Sequence, residues 1–465
     1  MLFCVLCTWS KLAKICKMSF FIRTQPKKQS NKRNKVNGEY SDKKRPRKKE
    51  SEEIDSDEVS ESSKSDVESD IGETAQEKKI RLAKIYLEEI EKRERERAEE
   101  NDVNKDVITS RLQEEIREKS DKYRRNVASK YKGYLKDDVK VLKCKEHSLS
   151  LTCVVVSQDG KAMFTASKDG GIVKWSLPEG NKLKSLKGGK DAPHGSRKPT
   201  ILCLALSSDE KFLVSGGLNK VINVWSPDTF QLLHSFSKHS GAVTGLAFRK
   251  GTHQLFSASD DKTVKIWNLD EMSYIETLFG HQTGITSIDA LSADRAVTSG
   301  GGDNTIRIWK VVEESQLIFN GHRGSIECVK LITEDHFLSC GTDGDLCLWG
   351  SMKKKPLCSV SVAHGVSDNS EPNWISSTAA YVNSDLVASG SCNGSVKLWR
   401  CGDSYRSLEH LFDILVVGFV NCLAFTPDGS YLIAGVGQEH RLGRWWRNKD
   451  AKNSILIIPL LISTE

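Results

Sequence analysis

Short runs of alternating hydrophobic and polar residues recur along the chain from about residue 139 onward. Runs such as LTCVVVS, ILCLALS and VTGLAFR are each followed by a second apolar run, and then by a tight turn that carries Asp or Asn. A third run ends in tryptophan, and an outer strand leads to the next repeat. An alternation of period two predicts β-strands. The pattern therefore predicts repeated four-stranded units.

Tryptophans mark the ends of the third strands. The clear copies are SASDDKTVKIW, SGGGDNTIRIW, SCGTDGDLCLW and SGSCNGSVKLW, and weaker copies end at Trp175, Trp225 and Trp446. The successive gaps are 50, 42, 42, 40, 50 and 47 residues. A period near forty is typical of propeller blades, none of which buries its faces alone. The sequence therefore predicts an all-β, seven-bladed WD-repeat β-propeller over residues 139–460.

Closure of the ring leaves an alternative open. The last outer strand needs a partner, because an exposed strand edge promotes aggregation. Two segments could supply it, VKVLK at 139–143 and SILIIPL at 454–460. They outnumber the one vacant position, so the sequence does not decide which of them closes the ring.

The N-terminal region differs in composition from the repeats. Residues 1–50 carry fifteen Lys and Arg against three acids, whereas residues 51–70 carry nine acids against one lysine. Adjacent blocks of opposite charge predict a disordered tail over residues 1–72. Residues 1–17 (MLFCVLCTWSKLAKICK) are read as a non-native extension or an alternative start, and a membrane anchor is the less favoured reading. Whether Met1 or Met18 is the true start stays open.

A helical segment is predicted over residues 73–132. Thr74 and Glu77 fit a capping box, and an apolar stripe with helical spacing follows it. A second helix is predicted at 105–130. The stripes could pack on the propeller, pair with each other or bind a partner. The stripe of the first helix consists of Ile80, Ala83, Leu87 and Ile90.

Two motifs in the tail suggest regulation or targeting. A dense basic run is typical of a nuclear-import signal or a nucleic-acid-contacting arm. Ser63 and Ser65 each have an acid three residues on, as acidophilic kinases favour, although an unmodified acidic spacer explains the pattern equally well. The basic run comprises Lys43, Lys44, Arg45, Arg47, Lys48 and Lys49.

The histidines and aspartates of the repeats predict structure rather than catalysis. They recur with the blade, and buried polar groups need partners. Phosphate-loop, HExxH and GxSxG motifs are absent from the sequence, and neither a cofactor nor a metal site is expected. No segment is long and apolar enough to cross a membrane. The best-defined sets are His239, Asp261 and Trp267, and His281, Asp303 and Trp309.

Basic residues provide the candidate RNA-binding site. Arg441, Arg444 and Arg447 flank two tryptophans in QEHRLGRWWRNK, which is predicted as a strand of the last blade. Cationic side chains supply the phosphate contacts that dominate nucleic-acid affinity, and aromatic rings can stack on unpaired bases. The alternative is that these charges are only solvated. Supporting positions are Arg249, Lys250 and Arg323.

Several stretches resemble one family. ETAQEKKIRLAKIYLEEIE (73–91), LAFRKGTHQLFSASDDKTVKIWN (246–268), EESQLIFNGHRGSIECV (313–329) and GVGQEHRLGRWWRNKDAKNS (435–454) are similar to U3 small nucleolar ribonucleoprotein 55-kDa proteins, which are WD-repeat proteins of ribosome assembly.

The resemblance implies a non-enzymatic protein of the nucleus and nucleolus. It would bind the box B/C region of U3 small nucleolar RNA beside box C/D core proteins, including the small kink-turn-binding protein. It would thereby support the small-subunit processome and pre-18S rRNA processing. The alternative function is a protein-interaction hub without RNA contact, such as a ligase adaptor or a chromatin reader.

Overall fold

The computed structural model describes residues 124–188, 200–367, 370–443 and 446–463. The predicted tail, with its basic run and Ser63 and Ser65, lies outside the described residues, as does the predicted helical segment up to residue 123. The described end of that segment contains a 3-10 helix (Ala128–Lys130) and the start of strand β1 (Tyr131–Tyr134). The sheet structure thus begins before the predicted boundary at 139.

Seven antiparallel sheets form the blades of a β-propeller, which confirms the predicted fold. Blade 1 contains β3 (Leu151–Val156), β4 (Ala162–Ser167), β5 (Ile172–Ser176) and β6 (Lys182–Leu186); blade 2 contains β7 (Ile201–Leu206), β8 (Leu213–Gly217), β9 (Ile222–Trp225) and β10 (Leu232–Phe236); blade 3 contains β11 (Val243–Phe248), β12 (Gln254–Ser259), β13 (Thr263–Asn268) and β14 (Ser273–Phe279). Blade 4 contains β15 (Ile285–Ala290), β16 (Arg295–Gly300), β17 (Thr305–Lys310) and β18 (Ser315–Asn320); blade 5 contains β19 (Ile326–Leu331), β20 (His336–Gly341), β21 (Leu346–Gly350) and β22 (Lys353–Val360); blade 6 contains β23 (Ile375–Ala380), β24 (Leu386–Ser391), β25 (Ser395–Cys401) and β26 (Leu408–Leu415).

Blade 7 combines strands from the C-terminal end of the chain with strands that precede blade 1. It contains β27 (Phe419–Phe425), β28 (Tyr431–Gly437) and β29 (Ser454–Ile462), and two short strands from the N-terminal side share the position outside β29. Strand β1 pairs with the end of β29, and β2 (Lys140–Leu142) pairs with its beginning. Both candidate closing segments are therefore used.

The assignment of Trp446 to the third strand of the last blade is wrong. That third strand is β29, and Trp446 lies in the connection between β28 and β29. The described residues of QEHRLGRWWRNK, 438–443 and 446–449, therefore belong to a connection rather than to a strand. The sequence pattern placed Trp446 in the third strand and so left only the fourth position of blade 7 vacant. In the structure β29 fills the third position, and β1 and β2 share the fourth.

The inner strands surround a central channel of about 770 Å³. Each blade contributes its first strand, and each first strand contacts the first strands of both neighbouring blades. The hydroxyl of Thr286 donates to the carbonyl oxygen of Ile326 at 2.6 Å, so the beginnings of β15 and β19 lie side by side. The inner strands thus run in the same direction. We call the face where they begin the top face and the opposite one the bottom face.

The hydrophobic core lies between adjacent blades. Trp267 of blade 3, for example, is fully buried in a cluster that includes Val214 and Phe236 of blade 2. The second strands are almost completely buried, as in β4 and β24, because they are covered on both faces. This packing makes each blade dependent on its neighbours.

The chain enters the propeller on the bottom face of blade 6. Asp385, which is fully buried, accepts hydrogen bonds from the backbone N–H groups of Val127 (2.8 Å) and Ala128 (2.9 Å). The guanidinium of Arg124 donates to the carbonyl oxygens of Cys401 and Gly402 and lies over the ring of Tyr405. These contacts fix where the N-terminal side joins the ring.

The repeated polar residues hydrogen-bond within their blades. Nδ1 of His281 lies 2.8 Å from the Asp303 carboxylate, and its Nε2 lies 2.8 Å from the Thr298 hydroxyl. The indole N–H of Trp309 donates to the same hydroxyl at 2.8 Å. These bonds tie strands β16 and β17 to each other and to the connection that precedes the blade. The same geometry holds for His239, Asp261, Ser257 and Trp267 in blade 3.

Blade 1 uses a hydroxyl in place of the carboxylate, and this predicts a pH effect. His147 bonds Ser167 (3.0 Å) and Thr165 (2.8 Å), and burial lowers its pKa to about 4. The unfolded chain, with a histidine pKa near 6.5, takes up its proton first as the pH falls. We therefore expect stability to decrease between pH 6.5 and 4, by roughly 3 kcal/mol from this residue.

Urea unfolding at pH 7.0, 5.5 and 4.5 measures this dependence. In His147→Gln the loss of stability over the same range should be smaller than in the wild type, because one titrating group is gone. An unchanged pH slope in the variant would contradict the assignment.

Candidate nucleic-acid interface on the top face

The connection between β28 and β29 covers part of the top face. We call its described residues, 438–443 and 446–453, the cap. Lys168 and Glu439 attach it to blade 1 through an ion pair of 3.0 Å in which both side chains are buried. The Lys168 ammonium also donates to the carbonyl oxygens of His440 (2.6 Å) and Gly443 (3.1 Å). A single lysine on the connection from β4 to β5 therefore contacts three residues of the cap.

Arg441 points into the top end of the channel. Its Nη2 donates to the carbonyl oxygens of Thr286 (3.0 Å) and Glu327 (3.1 Å), which belong to the inner strands of blades 4 and 5. Burial raises the pKa of Glu327, and Arg441 opposes that shift. The pKa of the neighbouring His440 falls to about 3 because the ring is buried and lies near Arg441 and Lys168. Arg441 thus anchors the cap instead of facing solvent.

An aromatic cluster supports the far end of the cap. The ring of Trp446 packs edge-on against Trp374 (6.1 Å) and Phe419 (5.4 Å), while 45% of the residue stays exposed. Trp374 also contacts the His440 ring. The cluster fixes Trp446 in place and leaves part of its ring available to a ligand.

A small polar cleft separates the cap from blade 1. Its volume is about 280 Å³, and its lining includes Ser148, Gln438 and Arg447. The exposed guanidinium of Arg447 donates to the Gln438 side-chain oxygen at 2.7 Å and 3.2 Å. Asn453 closes the cleft by donating to the Ser148 carbonyl at 2.8 Å. Arg447 therefore lies at the rim of the cleft with its charge exposed.

The structure does not bring the predicted site residues onto one surface. Arg447 and Arg323 are both exposed on the top face, but Arg249 and Lys250 follow β11 on the bottom face. Arg249 forms an ion pair with Asp294 at 3.3 Å. Arg444 lies outside the described residues. Their roles in RNA binding stay predictions.

Sequence reasoning missed two residues of this site. Lys168 lies in an ordinary repeat turn, and nothing in its local sequence predicts contact with residues 439–443. Trp374 offered a signal, because it is a tryptophan out of phase with the repeat and precedes an inner strand.

Neither a metal site nor a membrane span is found in the described part of the chain. No group of three or more His, Cys, Asp and Glu side chains there could hold a metal ion. None of the helices described is long and apolar enough to cross a bilayer.

Comparison with known proteins identifies the family. The model of the WD domain, G-beta repeat, matches residues 138–176, 187–226, 230–268, 272–310, 313–350, 363–400 and 415–442. U3 small nucleolar RNA-interacting protein 2 from Homo sapiens is 54% identical over 395 residues, which cover 83% of this chain and 82% of that protein. The chain belongs to the U3 small nucleolar RNA-interacting protein 2 family of WD-repeat proteins. The resemblance seen in the sequence is thereby confirmed.

More distant relatives and solved structures agree with this family. Ribosomal RNA-processing protein 9 from Saccharomyces cerevisiae is 26% identical, with 83% of this chain and 89% of that protein covered. A solved structure of U3-55K is 51% identical with a TM-score of 0.68, and it covers 70% of this chain and all of its own. The last WD match ends at residue 442 and so excludes β29.

Proposed function

We propose that this protein is a non-catalytic RNA-binding scaffold of the U3 box C/D small nucleolar ribonucleoprotein. Its identity of 54% to the human U3 small nucleolar RNA-interacting protein 2, over 83% of the chain, carries the proposal. It would bind the box B/C region of U3 RNA beside the small kink-turn-binding protein. In the nucleolus it would support the small-subunit processome and pre-18S rRNA processing.

The top face is the proposed RNA surface. The cap exposes Arg447, Lys449 and Lys452, and it also carries the partly exposed ring of Trp446. Cations along an RNA backbone release counterions, and an aromatic face can stack on an unpaired base. Arg441 would act indirectly, because its guanidinium is engaged by channel carbonyls.

Salt-dependent binding of U3 RNA tests the proposed surface. We expect Arg447→Ala to weaken binding and to reduce the slope of log affinity against log salt by about one, because one phosphate contact is lost. Trp446→Leu should weaken binding by about 1–3 kcal/mol with the slope unchanged, as expected for lost stacking. Lys354→Ala, on the outermost strand of blade 5, is the matched control.

Crosslinking of RNA in cells tests the particle. U3 RNA should be enriched with the wild type and reduced with Arg447→Ala. If no RNA is enriched with the wild type, the RNA scaffold proposal is wrong and the protein-interaction hub becomes the better account. If U3 is retained by both cap variants, the RNA surface lies elsewhere.

A further inference from the structure

The bottom mouth of the channel carries unbalanced positive charge. Among the described residues, those that line the channel include four cations and a single carboxylate, Asp289. Arg441 occupies the top end, so three cations remain near the bottom. They are Arg125, Lys250 and Lys330.

The carboxylates near this mouth are already engaged. Asp289 forms an ion pair with Lys330 (3.0 Å) and accepts a hydrogen bond from the Leu331 backbone N–H (2.8 Å). Glu334 accepts two hydrogen bonds from Ser292, through its backbone N–H and its hydroxyl. Both carboxylates lie close enough to Lys250 to favour its charged form, but among the described residues neither forms an ion pair with Lys250 or Arg125.

Lys250 and Arg125 are the cations that stay available. In the described part of the protein, the Lys250 ammonium has neither an ion pair nor a hydrogen bond. The Arg125 guanidinium lies 5.0 Å above the Tyr381 ring and makes one long contact, 3.4 Å, with the Val382 carbonyl. Surrounding protein lowers the pKa of Lys250 and Arg125 acts in the same direction, whereas Asp289 and Glu334 oppose the shift without reversing it. A bound carboxylate would offset this shift, because an opposite charge nearby favours the protonated amine.

The walls of the mouth favour a peptide over RNA. They combine aliphatic side chains such as Val156 and Leu206 with small polar groups such as Ser208 and Ser292. Arg125 covers a face of Tyr381, so this ring is not a free stacking platform. A concave, partly apolar pocket with a few charged groups suits short side chains inserted from an extended peptide.

We propose that the bottom mouth of the channel binds an acidic peptide of a partner protein, with Lys250 and Arg125 contacting its carboxylates. This surface lies on the face opposite to the cap. The protein would thus hold RNA on one side and a protein on the other. The peptide site does not depend on the RNA proposal, because no cap residue contributes to it.

Fluorescence anisotropy with the full chain tests the site. The probe is a labelled synthetic peptide that alternates Glu or Asp with Leu. We expect Lys250→Glu to weaken binding at least tenfold, whereas Lys250→Arg should bind nearly as the wild type does. Lys354→Glu makes the same change of charge on an exposed residue of β22, far from the channel, and is the matched control.

The possible outcomes separate this proposal from its alternatives. Equal weakening by Lys250→Glu and Lys354→Glu would mean that only overall charge matters, and it would overturn the site. Absence of peptide binding, combined with Lys250-dependent binding of a single-stranded RNA oligonucleotide, would reassign the mouth to RNA. If both variants have the melting temperature of the wild type, misfolding is excluded as the cause of weaker binding. Loss of U3 binding in the cap variants tests the other face independently.

Discussion

Ile458→Asp should prevent the propeller from folding, whereas Leu461→Asp should be tolerated. Ile458 is fully buried in the middle of β29, and Leu461, three residues on in the same strand, is 40% exposed. An unpaired carboxylate at the buried position costs several kcal/mol in addition to the lost apolar contacts. Total stabilities are only about 5–15 kcal/mol.

The effect of Ile458→Asp is expected to be large because β29 joins the strands before blade 1 to the C-terminal strands of blade 7. It pairs with β28 on one side and with β1 and β2 on the other, so its loss opens the ring. Circular dichroism and the yield of soluble protein measure the outcome. Equal melting temperatures for Ile458→Asp and the wild type would show that β29 does not close the propeller.

Lys168→Met should release the cap and abolish RNA binding while leaving the blades folded. The change removes the cation that pairs with buried Glu439 and that binds the carbonyls of His440 and Gly443. Removing one partner of a buried ion pair typically costs about 3–5 kcal/mol. Since the cap is a connection on the surface of the ring, we expect this cost to appear as local opening.

Amide hydrogen exchange shows which residues open in Lys168→Met. Residues 438–443 and 446–453 should exchange faster in Lys168→Met, and the protection of β24 and β12 should not change. Lys161→Met is the matched control, because Lys161 pairs with Asp159 where both side chains are exposed. Such pairs contribute at most about 1 kcal/mol. If U3 binding survives an opened cap, the ordered cap is not required.

The repeat pattern alone was sufficient to predict the propeller and most of its strands. Apolar alternation, turn residues and Trp267, Trp309, Trp349 and Trp399 recur with the blade, and each feature depends on neighbours close in sequence. The His–Asp–Trp hydrogen bonds are equally local, since all three residues of a set belong to one repeat.

Blade 7 shows where local pattern failed. Trp446 follows Trp399 at a spacing of 47 residues, as a repeat tryptophan would, yet it packs on Trp374 and Phe419 outside any strand. The true third strand, β29, contains no tryptophan. The sequence offered 454–460 only as one of two candidate closing segments, and its pairing with β28 makes it the third strand. Its other edge is covered by β1 and β2, which are more than 300 residues away in sequence.

The sequence by itself determined the seven blades, the family and the basic character of 441–449. Only the tertiary structure decided that Arg441 enters the channel, that Arg447 stays exposed and that Lys250 lies on the opposite face. The physical reason is the range of the interactions. Strand alternation and turns follow from neighbouring residues, whereas the direction of a side chain on a connection depends on partners such as Lys168, which other blades supply.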